Sequence, residues 1–368
     1  MTPSPRCDIF CRVVDNYGDI GVAWRLARQL ALEHHLQVRL IADNLNSLRR
    51  LVPAVVVASP TQVVDGVSVR DWHAMPAPAN AADLVIEAFA CELPDAYLRQ
   101  MASRSVAPIW INLEYLSAEP WVATHHLLPS PHPLLPLTKY FFFPGFTSRT
   151  GGLIRENDLI NRRDSRPTAL DDTGLTVLLF AYDSAPVEPL FRAMVDSASP
   201  FTCHVVEGKL VERLQHWRGS QAESGPNSAP ALEFHPMAFV PHADFDSLLW
   251  RHDVLFVRGE DSFVRAQWAA KPFIWHVYPQ ADGAHLTKMD AFLDLYCDGL
   301  TAAAQKALRD LWWAWNQPAI DAIGPAWTAF VGQLPVLNDH AGRWSRNMAH
   351  MPDLAANLLS FYQKKAKI

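Results

Sequence analysis

Apolar and polar positions along the chain fall into runs of two kinds. Residues 8–14 form an apolar stretch that reads as a first buried strand. In residues 22–31, Val22, Leu26 and Leu30 recur at helical spacing with Ala23 and Ala27 beside them. Apolar runs over residues 38–42, 83–89 and 108–115 predict further strands, and strands that alternate with helical stretches predict parallel βαβ units. The pattern breaks over residues 117–152, where Pro120, Pro129, Pro131, Pro133, Pro136 and Pro144 precede Gly145, Gly151 and Gly152. A long irregular region is expected there, with the apolar Tyr140-Phe141-Phe142-Phe143 near its end; loops of that length are uncommon unless functional. The polar segment 155–174 reads as a linker. Strands are then predicted at 175–180, 201–206, 254–257 and 272–278. The expected fold class is α/β, in two halves of similar size.

Length supports this division, because 368 residues exceed what one core usually holds. With 49% hydrophobic residues there is ample material for burial, yet no apolar stretch reaches the length of a membrane span. The opening Met1-Thr2-Pro3-Ser4-Pro5-Arg6 has no apolar core behind its charge, so a secretory signal is not expected and a cytoplasmic protein is. Cys7 and Cys11 would lie on one face of a strand, roughly 13 Å apart, too far for a disulfide. There is no pair of CxxC motifs, and His34-His35 and His125-His126 are adjacent rather than at ligand spacing, so no metal site is expected. A net charge of −6 argues against a general nucleic-acid binder. The absence of GxGxxG, Walker and GxSxG motifs weakens dehydrogenase, NTPase and hydrolase assignments.

Two strand-to-helix junctions carry candidate chemistry. The first, Val14-Asp15-Asn16-Tyr17-Gly18-Asp19-Ile20-Gly21, places two carboxylates, Asp15 and Asp19, where the first strand gives way to the first helix. Open α/β sheets bind their ligands at that edge. Local chemistry equally allows Asp15 to start a turn and Asp19 to cap the helix. The second junction is Arg258-Gly259-Glu260-Asp261-Ser262, ahead of a helix that Asp261 or Ser262 can cap. Its free N–H groups suit a phosphate or diphosphate, with Arg258 as a charged donor and Gly259 allowing close approach. Glu260 and Asp261 would repel phosphate unless they accept hydrogen bonds from sugar hydroxyls. A later strand end offers Tyr278 for stacking and Gln280 for hydrogen bonding. Asp244-Phe245-Asp246 matches a metal-binding DxD pattern but precedes a helical run, where capping explains it. Trp312, Trp313, Trp315 and Trp327 lie in a helical region and are expected in the core or a domain interface.

Several blocks together resemble the bacterial elongation factor P arginine rhamnosyltransferases. They are residues 14–30 around the first junction, Trp110-Ile111-Asn112-Leu113-Glu114-Tyr115-Leu116-Ser117-Ala118-Glu119, Phe180-Ala181-Tyr182, residues 258–267, and residues 271–280. The resemblance implies a B-type (GT-B) glycosyltransferase with two Rossmann-like domains facing across a cleft, the first over residues 1–165 and the second over 172–335. A C-terminal helix within 336–368, with Leu354, Leu358 and Phe361 at helical spacing, would pack back on the first domain.

The implied reaction is inverting, metal-independent transfer of L-rhamnose from dTDP-β-L-rhamnose to one arginine of elongation factor P (EF-P), which activates that factor on ribosomes stalled at polyproline. No cofactor, membrane or nucleic acid is implied. By family pattern Asp15 and Asp19 are the catalytic carboxylates, with Asp19 the base, and Asn16, Tyr17, Gly18 and Gly21 complete their loop. Phe180, Tyr182, Phe239 and Tyr278 match nucleotide and sugar contacts, and Arg258, Glu260, Asp261 and Ser262 match the donor junction. At Pro241-His242 a polar side chain is expected, without a confident match. Two alternatives stay open on the residues alone: a transferase of the same architecture with a small-molecule or lipid acceptor, and a non-catalytic nucleotide-binding module.

Overall fold

The computed structural model describes residues 4–15, 17–74, 80–166, 174–197, 199–222, 232–317 and 320–366. Among these the chain forms two compact units, one of residues 1–159 with 349–368 and one of residues 160–348.

The first unit runs β1 (Arg6–Cys11), α1 (Gly18–Leu32), β2 (Gln37–Ala42), α2 (Leu45–Leu51), β3 (Thr61–Val64), β4 (Val67–Asp71), β5 (Leu84–Ala88), α3 (Asp95–Ala102), β6 (Ile109–Leu113), α4 (Val122–His125), β7 (Pro129–Pro131) and β8 (Thr138–Phe142). Its sheet has the order β3-β4-β2-β1-β5-β6-β8-β7. The inner strands pair in parallel, and β3 and β7 close the two edges antiparallel. β5 is buried along its whole length, as expected of a central parallel strand covered on both faces. On one side of the sheet the Phe10 ring sits 4.7 Å from Tyr97 and 5.3 Å from Trp72. The predicted irregular region 117–152 is more ordered than its prolines suggest, because β7 and β8 extend the sheet within it.

Next come α5 (Leu159–Asp164), β9 (Leu175–Leu179), α6 (Val187–Val195), β10 (Phe201–Val206), α7 (Lys209–Ala222), β11 (Leu232–Met237), α8 (His242–Trp250), β12 (Val254–Arg258), α9 (Asp261–Ala269), β13 (Phe273–His276), α10 (Ala284–Tyr296), α11 (Ala302–Asn316), α12 (Ile323–Gly332) and α13 (Leu334–Ala349). The second sheet is wholly parallel, in the order β11-β10-β9-β12-β13. Trp312, Trp315 and Trp327 are buried in this unit; Trp315 and Trp327 lie 4.6 and 6.1 Å from Phe256, and Trp312 donates to the Phe273 carbonyl at 2.9 Å. Asp246 of the DxD pattern caps no helix. Pro241 is the N-cap of α8, and Asp246 is buried in a two-pronged ion pair with Arg265 at 2.6 Å. The reason is long-range: Arg265 is itself buried and requires a carboxylate, which local spacing could not reveal.

The last helix, α14 (Leu354–Ala366), belongs to the first unit. Leu354, Leu358 and Phe361 are buried, and the Phe361 ring lies 5.2 Å from Tyr140 and 6.4 Å from Phe142 of β8. Asp353 starts the helix: one carboxylate oxygen accepts from the Ala356 N–H at 3.0 Å and from Gln29 Nε2 of α1 at 3.1 Å. Asp353→Ala removes both bonds and should lower stability by about 1–2 kcal/mol in urea titrations, with faster amide exchange concentrated in α14. Unchanged exchange in α14 would show that other contacts hold the helix.

Candidate active site

Among the parallel strands of each sheet the order reverses once, at β1/β5 in the first and at β9/β12 in the second. Such switch points open a crevice at the carboxyl ends of the strands. The chain leaves β1 straight into Asp15 and Asp19. Likewise it leaves β9 into Phe180 and Tyr182, and β12 into Arg258 and Gly259.

At the first switch point Asp15 begins a tight turn in which its carbonyl accepts from the Gly18 N–H at 2.7 Å. α1 starts at Gly18 with Tyr17 as N-cap, and Gly21, buried in the helix, donates to the Tyr17 carbonyl at 2.9 Å. Asn16 lies outside the described residues. Asp19 does not cap the helix. Its carboxylate faces back into the turn and accepts from the Val14 N–H at 2.8 Å and the Asp15 N–H at 2.9 Å. It is 2% exposed. Burial raises its pKa above the ordinary carboxylate value, partly offset by those two N–H groups and a hydrogen bond from Tyr115, while Asp43 adds repulsion. A buried carboxylate with raised proton affinity, held by two N–H groups, suits a general base. Gly18 is needed for space: a Cβ there would lie 2.8 Å from Asp15 Oδ2. Gly18→Ala should therefore displace the Asp15 carboxylate and reduce turnover about tenfold in an initial-rate assay, with a small change in melting temperature. Wild-type turnover would mean that the carboxylate position is not critical.

Tyr115, just past β6, is a contact that sequence patterns missed, although it lies in a block singled out for its resemblance. Its ring stacks on Phe89 at 4.5 Å and 18°. Phe89 and the following Ala90 have φ of 57° and 51°, left-handed backbone that costs on the order of 1–2 kcal/mol for each non-glycine residue. Asp43, at the end of β2, accepts from the Val13 N–H at 2.9 Å and anchors the turn from the other side.

At the second switch point Arg258 is central. Its guanidinium lies 4.7 Å from the Phe180 ring centre and 4.8 Å from that of Tyr182. Phe180 in turn packs against Phe245 and Phe239, at 5.8 and 6.5 Å, and Tyr182 against Tyr278 at 5.6 Å. Tyr278 is half exposed and Gln280 exposed; the Gln280 N–H donates to His285 Nδ1 at 3.2 Å. The Gln280 backbone is thus joined to the start of α10, and its described bonds go there rather than to Arg258.

The expected caps are corrected here. Glu260 is the N-cap residue of α9 and makes no side-chain capping bond. Ser262 instead bonds the strand end, its hydroxyl accepting from the Arg258 N–H at 3.0 Å and donating to the Arg258 carbonyl. Asp261, nearly buried, pairs with His242 Nε2 at 3.2 Å, and Glu260 accepts from Lys288 at 2.7 Å. Glu260 is therefore charge-matched by a lysine and Asp261 is engaged by an imidazole, which lessens the repulsion of phosphate expected from them. Gly259 has φ of 62°, and its carbonyl accepts from Trp275 at 2.7 Å, turning the chain from β12 into the helix. The first-turn N–H groups of α9 carry the partial positive charge of its N-terminus. His276 accepts from the Tyr182 N–H at 3.2 Å, and burial, with Arg258 nearby, pushes its pKa down to about 3, so it is a neutral support. His242, His276 and Lys288 were not assigned roles by sequence patterns; their partners are distant along the chain.

No group of three or more His, Cys, Asp or Glu among the described residues has a metal-binding arrangement. No described helix is long and apolar enough to cross a membrane.

With this geometry in place, comparison with known proteins is direct. The family profile described as elongation factor P (EF-P) rhamnosyltransferase EarP matches residues 7–363. A protein-arginine rhamnosyltransferase of Pseudomonas putida is 46% identical, over 97% of this chain and 98% of its own length. One of Pseudomonas aeruginosa is 43% identical over 96% and 98%. Among solved structures, one describing EarP-mediated arginine glycosylation of translation elongation factor EF-P is 34% identical, covers 98% and 99% of the two chains and superposes with a TM-score of 0.66. The spinosyn rhamnosyltransferase SpnG, 10% identical with a TM-score of 0.51 over 97% and 99%, shares the fold. The chain carries the GT-B glycosyltransferase fold and belongs to the EF-P rhamnosyltransferase family EarP.

Proposed function

We propose that this chain, a protein-arginine rhamnosyltransferase acting on EF-P, divides its reaction between its two switch points. The first holds the acceptor arginine and the second holds dTDP-β-L-rhamnose. Free guanidinium has a pKa above 12 and a delocalised charge, which make it a poor nucleophile. Asp15 and Asp19 bind it through charge-assisted hydrogen bonds and localise the charge away from one nitrogen. That nitrogen attacks the anomeric carbon as the C1–O bond to the diphosphate breaks and its electron pair leaves with dTDP. The guanidinium proton passes to Asp19. Attack from the face opposite the leaving group converts a β-linked donor into an α-linked rhamnosyl-arginine.

On the donor side, Phe180, Tyr182, Phe239 and Tyr278 supply aromatic faces and tips for the nucleoside and sugar. Glu260, Asp261, Ser262 and Gln280 are the polar side chains of this region that would meet hydroxyls and ring edges, in addition to or in exchange for the internal partners described above. Arg258 and the N–H groups at the start of α9 receive the negative charge that develops on the diphosphate, a role a divalent cation fills elsewhere.

The observation that carries this proposal is the buried Asp19, held by two backbone N–H groups at a switch point and pushed by burial toward greater proton affinity. NMR of the purified product tests it: an α-anomeric proton is expected, formed at the same rate in excess EDTA. A β-linked product, or activity lost to the chelator and restored by a divalent metal, would overturn the direct-displacement scheme.

A further inference from the structure

We infer that Tyr115 is a positioning residue of the reaction: its hydroxyl holds the Asp19 carboxylate in one orientation, and Phe89 holds the Tyr115 ring. The inference rests on the reading of Asp19 as the base. Three separate strands meet in this device. Asp19 follows β1, Phe89 follows β5 and Tyr115 follows β6, so the carboxyl edge of the sheet brings together groups far apart in the chain. Tyr115 donates a hydrogen bond to Asp19 while its ring stacks on Phe89.

The backbone that carries Phe89 is held by several hydrogen bonds. The Phe89 N–H donates to the Leu113 carbonyl at 2.7 Å, and the Ala90 N–H donates to Asn112 Oδ1 at 3.1 Å. The Glu92 N–H donates to the buried Glu87 at 3.0 Å, and Glu92 also has left-handed backbone, with φ of 59°. Three non-glycine residues in that conformation within one short turn persist only where surrounding bonds over-determine them. Here those bonds come from β6, the strand that leads into Tyr115, and from β5. The turn thus fixes an aromatic ring whose described ring partner is Tyr115, and Tyr115 fixes Asp19. Although 38% exposed, Tyr115 is not a loose surface side chain.

Among the described residues, the titratable groups that act on Asp19 are the Cys11 thiol on β1, Asp43 at the end of β2 and Tyr115 after β6, while Asp15 meets it through its backbone N–H. The thiol is neutral, because burial raises its pKa well above the ordinary value. Asp43 disfavours the ionised form of Asp19, and the Tyr115 hydroxyl favours it. Removing that hydroxyl therefore makes Asp19 hold its proton to higher pH, and the acid limb of activity moves upward.

The test is the pH profile of kcat/KM for EF-P rhamnosylation by the full chain, with Tyr115→Phe, Phe89→Leu and Asp19→Asn in parallel. Tyr115→Phe keeps the ring stack and loses only the hydroxyl. Its acid limb should rise by about one pH unit, the worth of one charge-assisted hydrogen bond, with kcat about tenfold lower and the Kd for dTDP unchanged. Phe89→Leu keeps the hydroxyl and frees the ring, so its limb should move the same way by less; this variant carries the test if Tyr115→Phe does not fold. An acid limb at the wild-type position in the folded Tyr115→Phe protein, or in Phe89→Leu if it stands in, overturns the inference while Asp19→Asn remains inactive. Substantial turnover by Asp19→Asn would instead overturn Asp19 as base, a distinguishable failure.

Discussion

Asp19→Asn should abolish rhamnose transfer, lowering kcat by about 10³-fold or more, while dTDP binding stays within about twofold of wild type. General bases contribute about 10²–10⁴-fold, and in the proposed scheme Asp19 also grips the nucleophile, so the upper part of that range is expected. The amide retains an oxygen that can accept from Val14 and Asp15, as the carboxylate does at 2.8 and 2.9 Å, so the turn should keep its shape. Stability should separate from activity in this variant. Because the folded-state pKa of Asp19 is raised, its contribution to stability is greatest below the unfolded carboxylate pKa and is lost as pH rises through the folded one. At pH 7 the ionised group costs the fold, and Asp19→Asn removes that cost. Melting temperatures should match or exceed wild type near neutrality and lose that advantage once the pH falls below the unfolded carboxylate pKa. A variant destabilised at pH 7 would mark Asp19 as structural.

The second large effect is expected at the other switch point. Arg258→Ala should weaken dTDP binding about 100-fold in calorimetry, the scale of losing a charge-assisted diphosphate contact together with the cation held over Phe180 and Tyr182. kcat should fall further, because charge on the leaving diphosphate is greatest as the bond breaks. Arg258→Lys should recover little, since an ammonium cannot lie flat between two rings or present a planar pair of donors. Binding of dTDP within threefold of wild type in Arg258→Ala would remove Arg258 from the donor site.

Much of the fold was legible because central parallel strands are buried on both faces and read as unbroken apolar runs. β5, with Leu84-Val85-Ile86, and β12, with Val254-Leu255-Phe256-Val257, stand out this way, and alternation with helices announces the α/β class. The edges did not stand out. β3 is short and largely exposed, and β8 follows a proline-rich stretch, so their pairing depends on neighbours rather than on pattern. Both candidate junctions could be found by position alone, since a switch point needs only a strand end and a helix start. The partners inside them could not. Asp19, Asp261 and Ser262 are all residues that cap helices well, and none does so here, because each is drawn to a backbone or side-chain group supplied by the turn or by another element. Tyr115 shows the same limit: a tyrosine at a strand end has no local signature that points it to a carboxylate after another strand.

Intact-mass spectrometry of EF-P incubated with this protein and dTDP-β-L-rhamnose is the most direct test of the division of labour between the two switch points. Wild type should add the mass of one deoxyhexose, mapped by fragmentation to a single arginine, and Asp19→Asn should leave EF-P unmodified at the same enzyme concentration. An unmodified EF-P in the presence of wild-type protein that binds dTDP, or equal modification by Asp19→Asn, would contradict it.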